Sequence, residues 1–297
     1  MDILTITCHR DLEQMLIQSE SIHLFVEPCK HWVVINDPEV DINYWYSLLS
    51  PYYIRHELEI LSIDWTIWPD TERMKTDVAY KGYILQQVFK LSMFDKIKKD
   101  YVCLDSKNFF IDNINVNQFK NQIGSGIYIK HSNIKDSIQK YNFEKTTEFY
   151  ANKLNVKHEV SHLAAHTPFV INSSIMSSIE NWDGILDWFY HDQTVNASEF
   201  TLYGFLYKDI SQAKKHVHDF ILWRKHPKLK ELSSIENFLN FVDTRHYKMI
   251  AFSRRVLTET TQTEFDLINN WLMSLGFQNK LPYNLADRYK NTLGWIR

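Results

Sequence analysis

Several groups of residues have types and spacing that could do chemistry. The most regular is His158-Glu159-Val160-Ser161-His162, a formal H-E-x-x-H. On a helix its two histidines share a face and would bind zinc while the glutamate polarises a water, as in a metallopeptidase, with Glu180 as a third ligand. The surroundings argue against that use. The chain has 13 histidines, so an accidental match is unsurprising. Ala165 stands where the longer form of the zinc motif needs glycine, and Pro168 stops any helix soon after. A solvated helix face is the preferred reading and no metal site is assigned, the zinc peptidase being kept as an alternative.

A quieter group is Asp105-Ser106-Lys107-Asn108, which closes the apolar run Tyr101-Val102-Cys103-Leu104. A carboxylate at such a strand end is where many sugar-nucleotide enzymes handle a diphosphate. The remaining candidates are Glu199, His166 ahead of Thr167-Pro168, and Arg254 and Arg255 after Ile250-Ala251-Phe252. Trp65, Trp68 and Tyr80 could stack on a sugar or a base, although core packing is the commoner use of such residues.

These residues need elements to hold them. Asp2 to Thr7 reads as a strand and Arg10 to Ser19 as a helix with Leu12, Met15 and Leu16 on one face. Trp32 to Ile35 and Leu58 to Ile63 read as further strands. From Asp77 to Phe94 the apolar positions Ile84, Leu85, Val88 and Leu91 recur at helical spacing, with Gln86, Gln87 and Lys90 interleaved. Ser132 to Ala165 looks like helical decoration, Phe169 to Ile171 like a strand, and Ala197 to Tyr207 like a helix. Thr261 and Glu264 form a capping box for a helix running to Leu275, closed by Gly276.

Strands alternating with helices predict an α/β fold with a mainly parallel central sheet flanked by helices and a helical C-terminal third. Ligands in such sheets bind beyond the carboxyl ends of the strands. That selects Thr7-Cys8-His9-Arg10, Asn36-Asp37 and Asp105 to Asn108. One domain is expected over residues 1–297, with a donor-binding half at 1–130 and an acceptor-side half at 131–297.

Composition removes several classes. The chain of 297 residues has only 7 glycines, and neither a G-x-G-x-x-G fingerprint nor a Walker A loop occurs, so glycine-cradled phosphate folds are excluded. A formal net charge of −3 argues against a nucleic-acid surface, which needs clustered Lys and Arg. Cys8, Cys29 and Cys103 have no metal-ligand spacing and read as reduced thiols. No apolar run is long enough to span a bilayer, which gives the expectation of a cytoplasmic protein with peripheral membrane contact left open.

The stretches Ile84 to Leu91, Tyr101 to Phe110, His166-Thr167-Pro168-Phe169 and Ser198 to Gly204, in this order, resemble a bacterial family related to GT-A glycosyltransferases and catalogued largely as a domain of unknown function. The resemblance covers about residues 1 to 275. It implies a GT-A-like nucleotide-sugar fold and transfer of a sugar from a nucleotide-sugar donor to a glycan or lipid-linked acceptor, as in surface polysaccharide synthesis. Carried over by position, Thr7, His9, Asn36 and Asp37 surround the nucleotide, and Gln86, Gln87 and Lys90 face it from the helix. Asp105 matches the first aspartate of D-x-D, with Ser106, Lys107 and Asn108 beside the donor.

The third position departs from that pattern. Lys107 replaces the second aspartate, so an ammonium would meet the phosphates directly, and dependence on Mn or Mg is expected to be weak or absent. Glu199 is the favoured catalytic carboxylate, a base that takes the acceptor proton. His166, Tyr203, Gly204 and Arg254 are assigned to substrate contact. A catalytically silent nucleotide-sugar binder remains a third reading.

Overall fold

The computed structural model describes residues 1–66, 75, 78–118, 127–130, 144–145, 148, 151–152, 162–179, 199, 203, 220–223, 233–252 and 257–285. Strand β1 (Asp2–Thr7) is buried along its whole length, as a near-continuous apolar run is when both faces of a parallel sheet are covered. It pairs in parallel with β2 (Lys30–Ile35) on one side and β4 (Tyr101–Asp105) on the other. Strand β3 (Glu57–Ser62) extends the sheet beyond β2, and β8 (Phe169–Ile171) closes the far edge antiparallel to β4. The order is β3-β2-β1-β4-β8.

A smaller sheet lies beside the first. Its order is β5 (Asn108–Phe110), β10 (Met249–Phe252) and β9 (Phe220–Trp223). Strands from early and late in the chain therefore share both sheets. Among the described residues of the C-terminal third, β9 and β10 accompany α4 (Ile235–Arg245) and α5 (Gln262–Ser274).

Helix α1 (Leu12–Phe25) is longer than its apolar spacing predicts and is buried on more than one side. Met15 and Ile22 join the core with Val33, Val102 and Phe110. Ile17 joins a second core with Phe109, Phe238 and Phe252. Covered from two directions, α1 must satisfy its polar side chains internally. Ser21 Oγ donates to Gln18 O at 2.6 Å and accepts from Phe110 N at 3.2 Å. The Glu20 carboxylate accepts from the backbone N–H of Gln278 at 2.6 Å and of Asn279 at 2.9 Å, and from Asn279 Nδ2 at 2.7 Å. This ties the segment after α5 to α1.

Helix α2 (Ile42–Leu49) packs beside β3, and α3 (Val78–Ser92) buries Ile84, Leu85, Val88 and Leu91 as their spacing predicts. Each such side chain contributes about 1.5–3 kcal/mol. In α5 the capping box forms: Thr261 Oγ1 accepts from Glu264 N at 3.3 Å and Glu264 Oε2 accepts from Thr261 N at 2.8 Å. Gly276 ends it at φ +98°, a conformation that a Cβ disfavours.

The stretch expected to be helical up to Ala165 ends instead in extended chain. Strand β7 (His162–His166) pairs antiparallel with β6 (Ile127–Lys130) across a bulge. His162 opens that strand, whereas two histidines four apart share a face only where a helix runs through both. His158, Glu159 and Glu180 lie outside the described residues. Among the described residues, no group of three or more His, Cys, Asp or Glu side chains is placed to hold a metal ion. The three cysteines are free thiols; burial pushes Cys29 up to about 12 and raises Cys103 as well. Among the described residues no helix is long and apolar enough to cross a membrane.

Candidate active site

From β1 the chain builds β2 and β3 to one side and then returns to β4 on the other. In open α/β sheets ligands bind beyond the carboxyl ends of the strands at such a switch point, here β1 and β4. Register sets Asp105 opposite Ile6 and Thr7 opposite Ile35. Thr7, Asn36 and Asp105 therefore arrive at one edge.

The turn after β4 is closed by its own side chains. Asp105 N donates to Asn108 Oδ1 at 2.6 Å, and both Ser106 and Asn108 are buried. The Asp105 carboxylate receives two ammonium groups, Lys90 Nζ on Oδ1 at 3.1 Å and Lys107 Nζ on Oδ2 at 2.7 Å. Lys90 also reaches Glu199 Oε1 at 3.2 Å. Glu199 N donates to Gln87 Oε1 at 3.3 Å. Gln87 and Lys90, three residues apart on α3, share the helix face that makes these contacts.

The charges of this cluster, two positive and two negative, cancel. Burial pushes the Asp105 carboxyl upward, but the ammonium groups of Lys107 and Lys90 outweigh it and hold the acid well below the usual carboxylate range. Burial alone would lower Lys90, and the carboxylates of Asp105 and Glu199 reverse that and raise it. Lys90 is 5% exposed, whereas the Lys107 side chain is 30% exposed. Lys107 is the cation with room to move.

A second group sits at the ends of β1 and β2. Asn36 N donates to Thr7 O at 2.7 Å, and His9 N donates to Asp37 Oδ2 at 2.6 Å. Asn36 Nδ2 donates to the Gly82 carbonyl at 2.7 Å. A Cβ at Gly82 would lie 3.4 Å from the Trp65 ring, in ordinary van der Waals contact with it. Thr7 Oγ1, Asn36 Oδ1 and Trp65 Nε1 are buried and carry no hydrogen bond among the described residues. The His9 ring lies 6.2 Å from that of Tyr44 on α2. Burial raises the Asp37 carboxyl above its ordinary value despite the His9 amide.

Several side chains assigned to ligand contact are less exposed than that role needs, Thr7, Gln87, Ser106 and Asn108 being buried. Lys90, expected to face a nucleotide, is enclosed between two carboxylates. Tyr203, expected to touch substrate, is fully buried; its ring meets Phe169 edge-on at 5.0 Å and its hydroxyl accepts from Asn172 N at 2.8 Å. Glu199 and Tyr203 are both helical and four apart in sequence, and Tyr203 is anchored against β8 by its contact with Phe169. Gln86 is half-buried beside Gln87. His166 contributes its backbone to β7. Gly204, Arg254, Arg255, Trp68 and the side chain of Tyr80 lie outside the described residues.

One participant was not foreseen. Gln18 of α1, fully buried, donates through Nε2 to the carbonyls of Asp105 at 2.7 Å and Asn108 at 3.0 Å. Its only trace in the sequence is the polar run Gln18-Ser19-Glu20-Ser21 inside an otherwise apolar helix.

Paired carboxylates hold Mg²⁺ or Mn²⁺ through free oxygens. These residues do not fit such an ion: both Asp105 oxygens and one Glu199 oxygen already face ammonium groups, and the third position of the motif is itself cationic. What the arrangement can do is present Lys107 to an anion while Lys90 keeps both carboxylates in place.

Neither a family model nor a curated protein sequence matches the chain. Solved structures do. The apo WbbM bifunctional glycosyltransferase aligns over 97% of this chain and 51% of its own at TM-score 0.50 and 10% identity. The chain thus spans about half of that structure. The mannosyltransferase Ktr4p from S. cerevisiae in complex with GDP aligns over 73% and 67% at TM-score 0.44 and 15% identity. Core-mannan synthase A from Aspergillus fumigatus in its Mn/GDP form aligns over 69% and 69% at TM-score 0.43 and 10% identity. The α/β fold, with its mainly parallel five-stranded sheet flanked by helices, is that of GT-A glycosyltransferase structures.

Proposed function

We propose that the chain is a glycosyltransferase that moves a sugar from a nucleotide-sugar donor to a glycan or lipid-linked acceptor. The observation that carries this reading is the cluster of Asp105, Lys107, Lys90 and Glu199 at the switch point of a GT-A fold. The nucleoside lies beside Thr7, His9, Asn36 and Asp37, and the diphosphate meets Lys107. In the transfer, an acceptor hydroxyl oxygen bonds to the anomeric carbon while the bond from that carbon to the phosphate oxygen breaks. The hydroxyl proton passes to Glu199, the electron pair leaves with the diphosphate, and Lys107 turns from Asp105 to meet the growing negative charge. Lys90 stays where it is and fixes both carboxylates. The free thiols fit a reducing compartment, and we place the reaction on the cytoplasmic side, in contact with the membrane when the acceptor is lipid-linked.

The test is donor hydrolysis and transfer over a panel of nucleotide sugars. Glu199→Gln should lower turnover by about 10²–10⁴-fold while nucleotide affinity stays within a few-fold of wild type. Near-normal turnover in that variant sinks the base assignment. Chelation should leave activity intact, and activity abolished by a chelator and restored by Mn²⁺ or Mg²⁺ overturns the role given to Lys107. The hold of Lys90 on Glu199 favours a second reading, a silent nucleotide-sugar binder, which would bind a donor without ever consuming it.

A further inference from the structure

We infer that Gln18 is a positioning residue for the turn from Asp105 to Asn108, and that it is the last member of a one-way hydrogen-bond relay running from Tyr53 beneath the sheet. The relay is a statement about the fold; its bearing on donor binding rests on the function proposed above.

The direction follows from the end nearest the turn. Backbone carbonyls only accept, so the two contacts to Asp105 O and Asn108 O fix the Gln18 amide with Nε2 toward the turn. Its Oε1 therefore accepts, and the Thr5 hydroxyl donates to it at 2.8 Å. Thr5 has one hydrogen, now spent, so its oxygen accepts from His31 Nε2 at 2.9 Å. His31 is fully buried, and burial together with His56 pushes it down to about 3. It is neutral and carries a single hydrogen, on Nε2. Its bare Nδ1 then accepts from the Tyr53 hydroxyl at 2.6 Å, whose oxygen also lies 3.1 Å from Ser19 Oγ. The other tautomer would set the lone pair of Nε2 against that of Thr5 with no hydrogen between them, a buried mismatch.

Thr5, Gln18 and His31 are each 0% exposed, so none can meet a ligand from solvent. What they reach is the pair of carbonyls at the two ends of the turn. Strand pairing holds the two ends of the turn to β1 and β10 and Asn108 Oδ1 braces it from within; loosening the Gln18 contacts removes the hold from α1 and lets the Asp105 carboxylate and Lys107 shift relative to Lys90.

Nitrogen-15 spectra of the full wild-type chain test the relay directly. Expected is a neutral His31 with its hydrogen on Nε2, unchanged between about pH 5 and pH 8; a hydrogen on Nδ1, or an imidazolium in that range, overturns the relay. The link to the turn is tested with Thr5→Val, which keeps shape and loses the hydroxyl, against Thr5→Ser, which keeps it. In Thr5→Val the Asp105 carboxyl, followed by carbon-13 NMR, should move back toward about 3.9, and calorimetric affinity for UDP or GDP should fall about tenfold; Thr5→Ser should match wild type on both. A folded Thr5→Val with unaltered Asp105 titration overturns the positioning role. If Thr5→Val does not fold, Tyr53→Phe, which cuts the far end, takes its place with the same two outcomes at smaller amplitude. A wild-type chain that binds neither nucleotide overturns the proposed function, while the Asp105 titration still decides the role of Gln18.

Discussion

Lys90 and Glu199 are 109 residues apart in sequence and meet at 3.2 Å, with Asp105 on the same ammonium at 3.1 Å. The lysine is the only cation among the described residues that joins the two carboxylates, and it is out of water. Its removal leaves Glu199 buried and Asp105 with Lys107 alone. Lys90→Met should lower stability by about 3–5 kcal/mol in urea denaturation, and adding Glu199→Gln and Asp105→Asn should restore much of it. A single variant within about 1 kcal/mol of wild type would show that the cluster is solvated.

Lys107 gives the opposite expectation. Its pair with Asp105 is partly exposed, so Lys107→Ala should change stability by no more than about 1 kcal/mol. Affinity for UDP or GDP, read by calorimetry, should nevertheless fall about tenfold, and the loss should shrink as salt is added. Unchanged affinity would mean that the phosphates are held elsewhere.

Acid should weaken the fold well above the range of ordinary carboxylates. Burial depresses His31 to about 3 and His56 to about 4 in the folded state, from 6.5. Below pH 6.5 the unfolded chain takes up protons that the folded chain refuses, so stability is full above that pH and declines as pH falls toward these lowered values. Between about pH 6 and pH 4 the loss from His31 alone approaches 1.4 kcal/mol per pH unit. Urea midpoints at several pH values measure it, and a flat profile down to about pH 4.5 would mean that both rings charge freely in the native state.

Tyr203→Phe isolates the anchor against β8. Removing the hydroxyl leaves the Asn172 amide without its acceptor and should cost about 1–3 kcal/mol by thermal denaturation. Turnover should fall with nucleotide affinity kept. A drop in affinity with intact turnover would instead favour a direct ligand contact.

Much of this site was legible in the sequence. An apolar run ending in Asp105 announced a strand end, and the spacing of Ile84, Leu85, Val88 and Leu91 located α3 with its polar partners. The exposure of those partners was not legible. A lysine interleaved among apolar positions reads as solvent-facing, and only the return of Glu199 from far along the chain turns Lys90 inward. Gln18 was hidden for a related reason: its polar run weakens the amphipathic signal of α1, and the run is buried by partners far away in sequence, Tyr53, Phe110 and the Gln278-Asn279 segment among them. Leu163-Ala164-Ala165 favours a helix by local propensity, and pairing with β6 overrides that preference.

The attachment of Glu20 to Gln278 and Asn279 spans 258 and 259 residues. Closing a loop of that size costs about 5 kcal/mol of chain entropy, so it forms only after both sheets have brought the ends together. On the ribosome, α1 emerges 258 residues ahead of Gln278 and keeps this carboxylate hydrated, with one flank uncovered, until that later segment has been made. A nascent chain halted before residue 278 would therefore hold a finished switch point over an open seam, a form suited to chaperone capture and to sticking to its neighbours.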